Sequence, residues 1–169
     1  LGYDVVLGGS KHFGYYPDGI NNIREKKAQE LMQDLLAKTL RITKNQTILD
    51  AGCGYGIVSS YLAKKYGCKI IGITIVPFEI VKAKILAEKL GVGSNVEYCL
   101  MDYSNTNFED NKFDGAYAIE SFVHSPDPRA TLKELFRILK PGGRLVIFDY
   151  TISNDNEFTD YEEKMWDII

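Results

Sequence analysis

The stretch Ile48-Leu49-Asp50-Ala51-Gly52-Cys53-Gly54-Tyr55-Gly56-Ile57-Val58 decides the fold. It opens with the end of an apolar run that reads as a buried strand. Three glycines follow at alternate positions. Without a Cβ, such a backbone can turn sharply, adopt unusual φ values and let a ligand come close. An ordinary strand-to-helix turn needs one such glycine rather than three. The reading is a strand running into a ligand loop at the carboxyl end of an α/β sheet.

Outward from this loop the pattern alternates. "TILDAG" (47–52), "KIIGITI" (69–75), "VEYCLMD" (96–102), "FDGAYAIES" (113–121) and "RLVIFDY" (144–150) read as short apolar strands. Helices are predicted over 57–66 and over 77–90, the latter opened by Pro77 and stopped by Gly91. A further helix starts at Asp127-Pro128 and ends at "KPGG" (140–143). Strands alternating with helices predict an α/β fold with a doubly wound, mainly parallel sheet of five strands.

Upstream, residues 22–41 read as a helix with Ile23, Ala28, Leu31, Met32, Leu35 and Leu36 on its apolar face. Before it, "GGSKHFGYYPDG" (8–19) is rich in glycine and aromatic residues. At the far end Thr159 and Glu162 form a capping box for a helix carrying Tyr161, Met165 and Trp166. The chain therefore divides into an N-terminal aromatic segment (1–21), a ligand-binding domain (22–150) and the start of a helical cap (151–169) that stops short.

The 169 residues suffice for one core, and 45% apolar with 25% charged residues is a globular balance. A net charge of −3 and a pI near 5.5 argue against nucleic acid or an anionic membrane as partner. No apolar run reaches the roughly 18 residues of a membrane span. Cys53, Cys68 and Cys99 are odd in number and form no CxxC pair, against a disulfide framework and against a zinc site. No metal is expected, and reduced thiols suit the cytoplasm.

Spacing narrows the ligand. A dinucleotide loop, GxGxxG, would put its third glycine at Ile57 and an acid at the end of the second strand. There "GITIV" (72–76) offers no acid before Glu79. The Gly-Lys-Ser/Thr of a P-loop is absent. A nicotinamide-dependent oxidoreductase is therefore the second reading, and a cofactor-binding module without activity the third.

"LDAGCGYG" (49–56), "LMDYSN" (100–105), "FDGAYAIESFVHSPDP" (113–128) and "LFRILKPGGRLVIFD" (135–149) occur in order. They resemble the motifs of class I S-adenosylmethionine-dependent methyltransferases, over residues 45–150. "HFGYY" (12–16), "GITIVPFEIVKAK" (72–84) and "ESFVHSPD" (120–127) resemble the branch that methylates small molecules. That branch includes sterol, tocopherol and cyclopropane-fatty-acid-type C-methyltransferases and sugar or natural-product O-methyltransferases. The resemblance implies S-adenosylmethionine as cofactor, S-adenosylhomocysteine as product and a small-molecule acceptor, with self-association into a homodimer open. It also implies a Rossmann-like sheet of seven strands, two of them beyond "RLVIFDY".

The resemblance distributes roles. Gly52, Gly54 and Gly56 pass along the methionine part of the cofactor, with Asp50 and the backbone at Ala118 toward its ammonium. Asp102 accepts from the adenine amino group beside the Tyr103 amide. Thr74 and Ile75 end the second strand, and Glu79 stands where relatives often carry the Gln that holds the ribose. Each has a plainer alternative: Asp50 and Asp102 cap their own turns, and Glu79 complements a helix dipole. Candidates for the chemistry are His124, Glu120 and Asp149, all at carboxyl ends of strands. His124 acts as base with Asp149 in support, or Glu120 stabilises a cation, or His124 merely bonds its loop. The aromatic segment with His12, Tyr15 and Tyr16 is either a lid over the cofactor or a plug on the sheet edge.

Overall fold

The protein is described by a computed structural model, which covers residues 12–19 and 22–150. The expectations for 1–11 and for 151–169, including the capping box at Thr159, lie outside the described residues. Within them the elements run α1 (Glu25–Leu40), β1 (Thr47–Ala51), α2 (Ile57–Tyr66), β2 (Lys69–Thr74) and α3 (Pro77–Leu90). Then come β3 (Val96–Leu100), β4 (Phe113–Ile119), a 3₁₀ turn (Phe122–His124), α4 (Pro128–Ile138) and β5 (Leu139–Phe148). The strands form one five-stranded sheet in the order β3-β2-β1-β4-β5. Every pairing is parallel.

The breaks lie where backbone chemistry puts them. α2 begins after Gly56 and ends before Gly67, both left-handed, at φ 73° and 68°. α3 has Pro77 as its first residue and stops at Gly91, also left-handed. Asp127 caps α4 by accepting from the Ala130 N–H at 3.0 Å. "KPGG" is not a loop after α4: the helix ends at Ile138, and residues 140–143 belong to an irregular start of β5. The register jumps there, from Phe113 facing Leu139 to Gly115 facing Arg144.

Helices cover both faces of the sheet, so its central strands are buried on both sides. One core layer contains Leu36, Leu40, Ile48, Leu62, Ile70 and Tyr117, and the other Leu49, Ile73, Phe113, Leu135 and Ile138. Each of these large side chains contributes about 1.5–3 kcal/mol by leaving water. α1 differs from the expected apolar face. Leu31, Met32 and Leu35 are half-buried, while Gln29 and Gln33 are buried beside Ala28 and Leu36. The two amide Nε2 groups face the N-terminal segment and pair with His12 there.

The strand order reverses between β1 and β4, so the loops leaving these two strands diverge. A crevice opens there, at the carboxyl ends of the strands.

Candidate functional site

A cavity of about 360 Å³ fills that crevice. The β1 loop supplies Asp50, Gly52, Cys53, Gly54 and Tyr55, and the end of β2 supplies Thr74, Ile75 and Val76. Glu79 enters from the first turn of α3, and Asp102 and Tyr103 from the loop after β3. The fourth wall is Glu120, Ser121, His124 and Pro126 after β4, with His12 of the N-terminal segment alongside. Gly56, Ala118 and Asp149 do not line it.

The three glycines, equal in sequence, do different work. All have positive φ, at 92°, 49° and 73°. A Cβ on Gly52 would lie 2.4 Å from that of Ser121. A Cβ on Gly56 would lie 2.4 Å from the Tyr98 hydroxyl and 2.9 Å from the Ala83 Cβ, inside the core. A Cβ on Gly54 would meet no atom of the described residues within 4 Å. Gly54 is thus the position where a ligand can approach the backbone, and Gly56 keeps room for Tyr98.

Asp50 sits at the base of the cavity, 3% exposed, with Oδ2 lacking any hydrogen-bond partner among the described residues. It does not cap the turn. Burial raises its carboxyl pKa to about 7, opposed by the nearby Tyr117 and Ser59 hydroxyls. The Tyr117 hydroxyl is likewise buried and falls short of hydrogen-bond geometry with any described group. Two unpaired polar groups at a cavity wall are what a donor-bearing ligand would satisfy.

At β2, Thr74 Oγ1 donates to Glu79 Oε2 at 2.7 Å, and both residues are buried. Asp102 caps its own turn, the plainer alternative, and also lines the cavity. Its Oδ1 accepts from the N–H and the hydroxyl of Ser104, both at 2.7 Å, while the residue lines the cavity and is exposed. Tyr103 is tied in by its hydroxyl, which donates to the Ser121 carbonyl at 2.9 Å. Ser121 Oγ in turn donates to the Ala51 carbonyl at 2.6 Å. These bonds link the loops after β1, β3 and β4 through Ser121, a residue the sequence reading passed over.

Glu120 is a backbone outlier, a non-glycine residue at φ 48°. Its Oε1 accepts from the Phe13 N–H at 2.7 Å. Burial and the negative charges of Asp149 and Glu25 raise its pKa, while the Phe13 N–H opposes them. His124 ends the 3₁₀ turn, exposed, and its ring makes no hydrogen bond among the described residues. Asp149 acts on that turn from behind: its Oδ2 accepts from the Val123 N–H at 2.8 Å. Among the described residues no group of His, Cys, Asp and Glu is arranged to hold a metal. None of the described helices is long and apolar enough to cross a membrane.

The sequence profile of a methyltransferase domain matches residues 49–147. The chain is 32% identical to a sterol 24-C-methyltransferase of Eremothecium gossypii, over 96% of this chain and 43% of that protein. It is 32% identical to the chloroplastic tocopherol O-methyltransferase of Arabidopsis thaliana, over 90% of this chain and 47% of that one. It thus spans less than half the length of these two curated relatives. Among solved structures it superposes on the [4+2]-cyclase SpnF with a TM-score of 0.78 and 28% identity, over 85% of this chain and 56% of that one.

Proposed function

Because the chain belongs to the methyltransferase domain family, whose methyl donor is S-adenosylmethionine, we propose that this cavity holds the donor and that the protein methylates a small molecule at oxygen or carbon. The observation that carries the proposal is the buried, unpaired Oδ2 of Asp50 beside the open backbone of Gly54.

The residues present fit that cofactor. Asp50 and the Tyr117 hydroxyl offer unpaired polar atoms to an ammonium. Glu79, held by Thr74, offers carboxylate acceptors to ribose hydroxyls. Asp102 keeps Oδ2 for an adenine amino group while Oδ1 holds the loop. When bound, the cofactor supplies an activated methyl group on a sulfonium. The remaining work of the protein is to align an acceptor, exclude water and, for a hydroxyl acceptor, remove a proton. His124 and Glu120 line the side on which an acceptor would lie. His124 is the candidate base for a hydroxyl acceptor. Glu120 is the candidate partner of positive charge for a carbon acceptor. The sterol and tocopherol relatives support a lipophilic acceptor of either kind. The three free cysteines support a cytoplasmic setting.

Calorimetry with S-adenosylhomocysteine and with NADH tests the proposal. Binding of the first and not the second is expected, and the reverse would overturn it.

A further inference from the structure

Two buried amides on α1 stand outside the cavity yet connect to it. Gln29 and Gln33 are 5% and 3% exposed, on a helix face that is otherwise apolar. Gln29 Nε2 donates to the His12 carbonyl at 3.0 Å. Gln33 Nε2 lies 3.1 Å from His12 Nε2, and His12 Nδ1 lies 2.7 Å from the Phe13 carbonyl. A carbonyl only accepts, so Nδ1 carries the proton and the Nε2 lone pair accepts from Gln33. Burial lowers the His12 pKa and favours this neutral tautomer. The Gln33 amide makes this bond although its own Oε1 is buried without a partner among the described residues.

The chain just beyond His12 is fixed as well. Gly14 lies so close to α1 that a Cβ there would be 2.2 Å from the Ala28 Cβ. The Tyr15 N–H donates to the Ala28 carbonyl at 2.9 Å. Phe13 lies between these anchors with its side chain outward, 62% exposed. It is therefore its neighbours, not its own ring, that direct its N–H to Glu120 Oε1. Glu120 is constrained from the other side by its left-handed backbone and by its N–H, which donates to the Phe148 carbonyl at 2.8 Å.

We infer that Gln29 and Gln33 are positioning residues: through His12 they aim the Phe13 N–H at the Glu120 carboxylate, and so fix the wall of the cavity against which the acceptor is held. That an acceptor lies against this wall rests on the methyltransferase reading; the chain of contacts does not. A polar pair that only seals α1 would leave Glu120 unaffected by its removal, whereas a positioning pair would not.

The experiment follows the Glu120 carboxyl by carbon NMR through a pH titration of the full-length protein, wild type against Gln33→Met. The groups facing Glu120 are the Phe13 N–H from the N-terminal segment, Glu25 from α1 and Asp149 from the end of β5. His12 and His124 line the same cavity. Freed of the N–H, the Glu120 titration should move up by about one unit, because a backbone donor to a carboxylate favours its charged form. Affinity for S-adenosylhomocysteine should stay within about twofold, because the methionine and adenosine walls are untouched. If Gln33→Met does not fold, Gln29→Met is read in the same way. An unmoved Glu120 titration in a folded variant overturns the inference. Failure of the wild type to bind S-adenosylhomocysteine overturns the methyltransferase reading instead, and leaves the Glu120 comparison interpretable.

Discussion

Thr74 and Glu79, five residues apart across the turn from β2 into α3, are joined by a buried hydrogen bond of 2.7 Å. The hydroxyl holds the carboxylate at the cavity wall. A helix dipole acts on any exposed first-turn acid without a buried partner, so it is the buried bond to Thr74 that favours a role for Glu79 beyond the helix. Glu79→Ala is expected to weaken S-adenosylhomocysteine binding by ~1–3 kcal/mol, the usual cost of losing such a partner. Glu79→Gln, which keeps one acceptor, should lose less. Calorimetry giving equal affinity for wild type and Glu79→Ala would assign Glu79 to the helix alone.

Asp50 gives a pH signature. Its carboxyl holds a proton up to about pH 7 in the folded chain, and only to about pH 4 when unfolded. Between those values the folded state binds more protons, so this group's contribution to stability falls as pH rises across the window. A bound ammonium favours the carboxylate and reverses the preference. Affinity for S-adenosylhomocysteine should therefore climb from pH 5 to pH 7, by up to about tenfold per unit, with proton release on binding. Asp50→Asn should flatten that dependence. Calorimetry in buffers of different ionisation enthalpy reads it directly, and a flat wild-type profile would show that Asp50 does not meet the cofactor.

The glycines are separable. Gly56→Ala drives a methyl group into Tyr98 and Ala83 at positive φ, so it should destabilise the fold by more than the ~1–2 kcal/mol of the left-handed backbone alone. Gly54→Ala meets no atom within 4 Å, so its stability cost should stay near that backbone value. Its methyl group enters the cavity, and cofactor affinity should fall further than stability does. Urea denaturation with calorimetry on both variants tests the division. Equal losses of stability would refute it.

Much of this fold is legible in the sequence because its punctuation is local. α2 and α3 occupy the predicted spans, and Gly56, Gly67, Pro77 and Gly91 bound them by acting on their own backbone. What sequence spacing does not carry is the identity of a distant neighbour. Gly54 and Gly56 look alike until Tyr98 is placed against one of them. Gln29 and Gln33 are passed over in sequence, and their part shows only when His12 is placed over them. Ser121 acts through its contacts with Ala51 and Tyr103, and nothing in its own stretch marks it. Asp102 caps its loop and lines the cavity at once, so its capping role leaves the proposed contact with the cofactor open.

The last prediction concerns Asp149 and His124. Asp149 does not line the cavity, and its Oδ2 accepts from the Val123 N–H, the donor next to His124 in the 3₁₀ turn. Its expected part is to hold that turn, so that the otherwise unbonded His124 ring stays at the cavity wall. Charge and hydrogen bonding can then be separated. Asp149→Asn keeps an oxygen that can accept from Val123, and Asp149→Ala does not. With a hydroxyl acceptor, His124→Ala is expected to lower turnover by ~10²–10⁴-fold, the usual contribution of a positioned base. Asp149→Ala should follow it part of the way, and Asp149→Asn should stay close to wild type. None of the three should change S-adenosylhomocysteine affinity, because the proposed cofactor contacts lie on the opposite walls. If Asp149→Asn falls as far as Asp149→Ala, the negative charge matters and Asp149 acts by electrostatics. If His124→Ala retains near-normal turnover, the histidine is not the base, and Glu120 is the remaining candidate among the residues that line this wall.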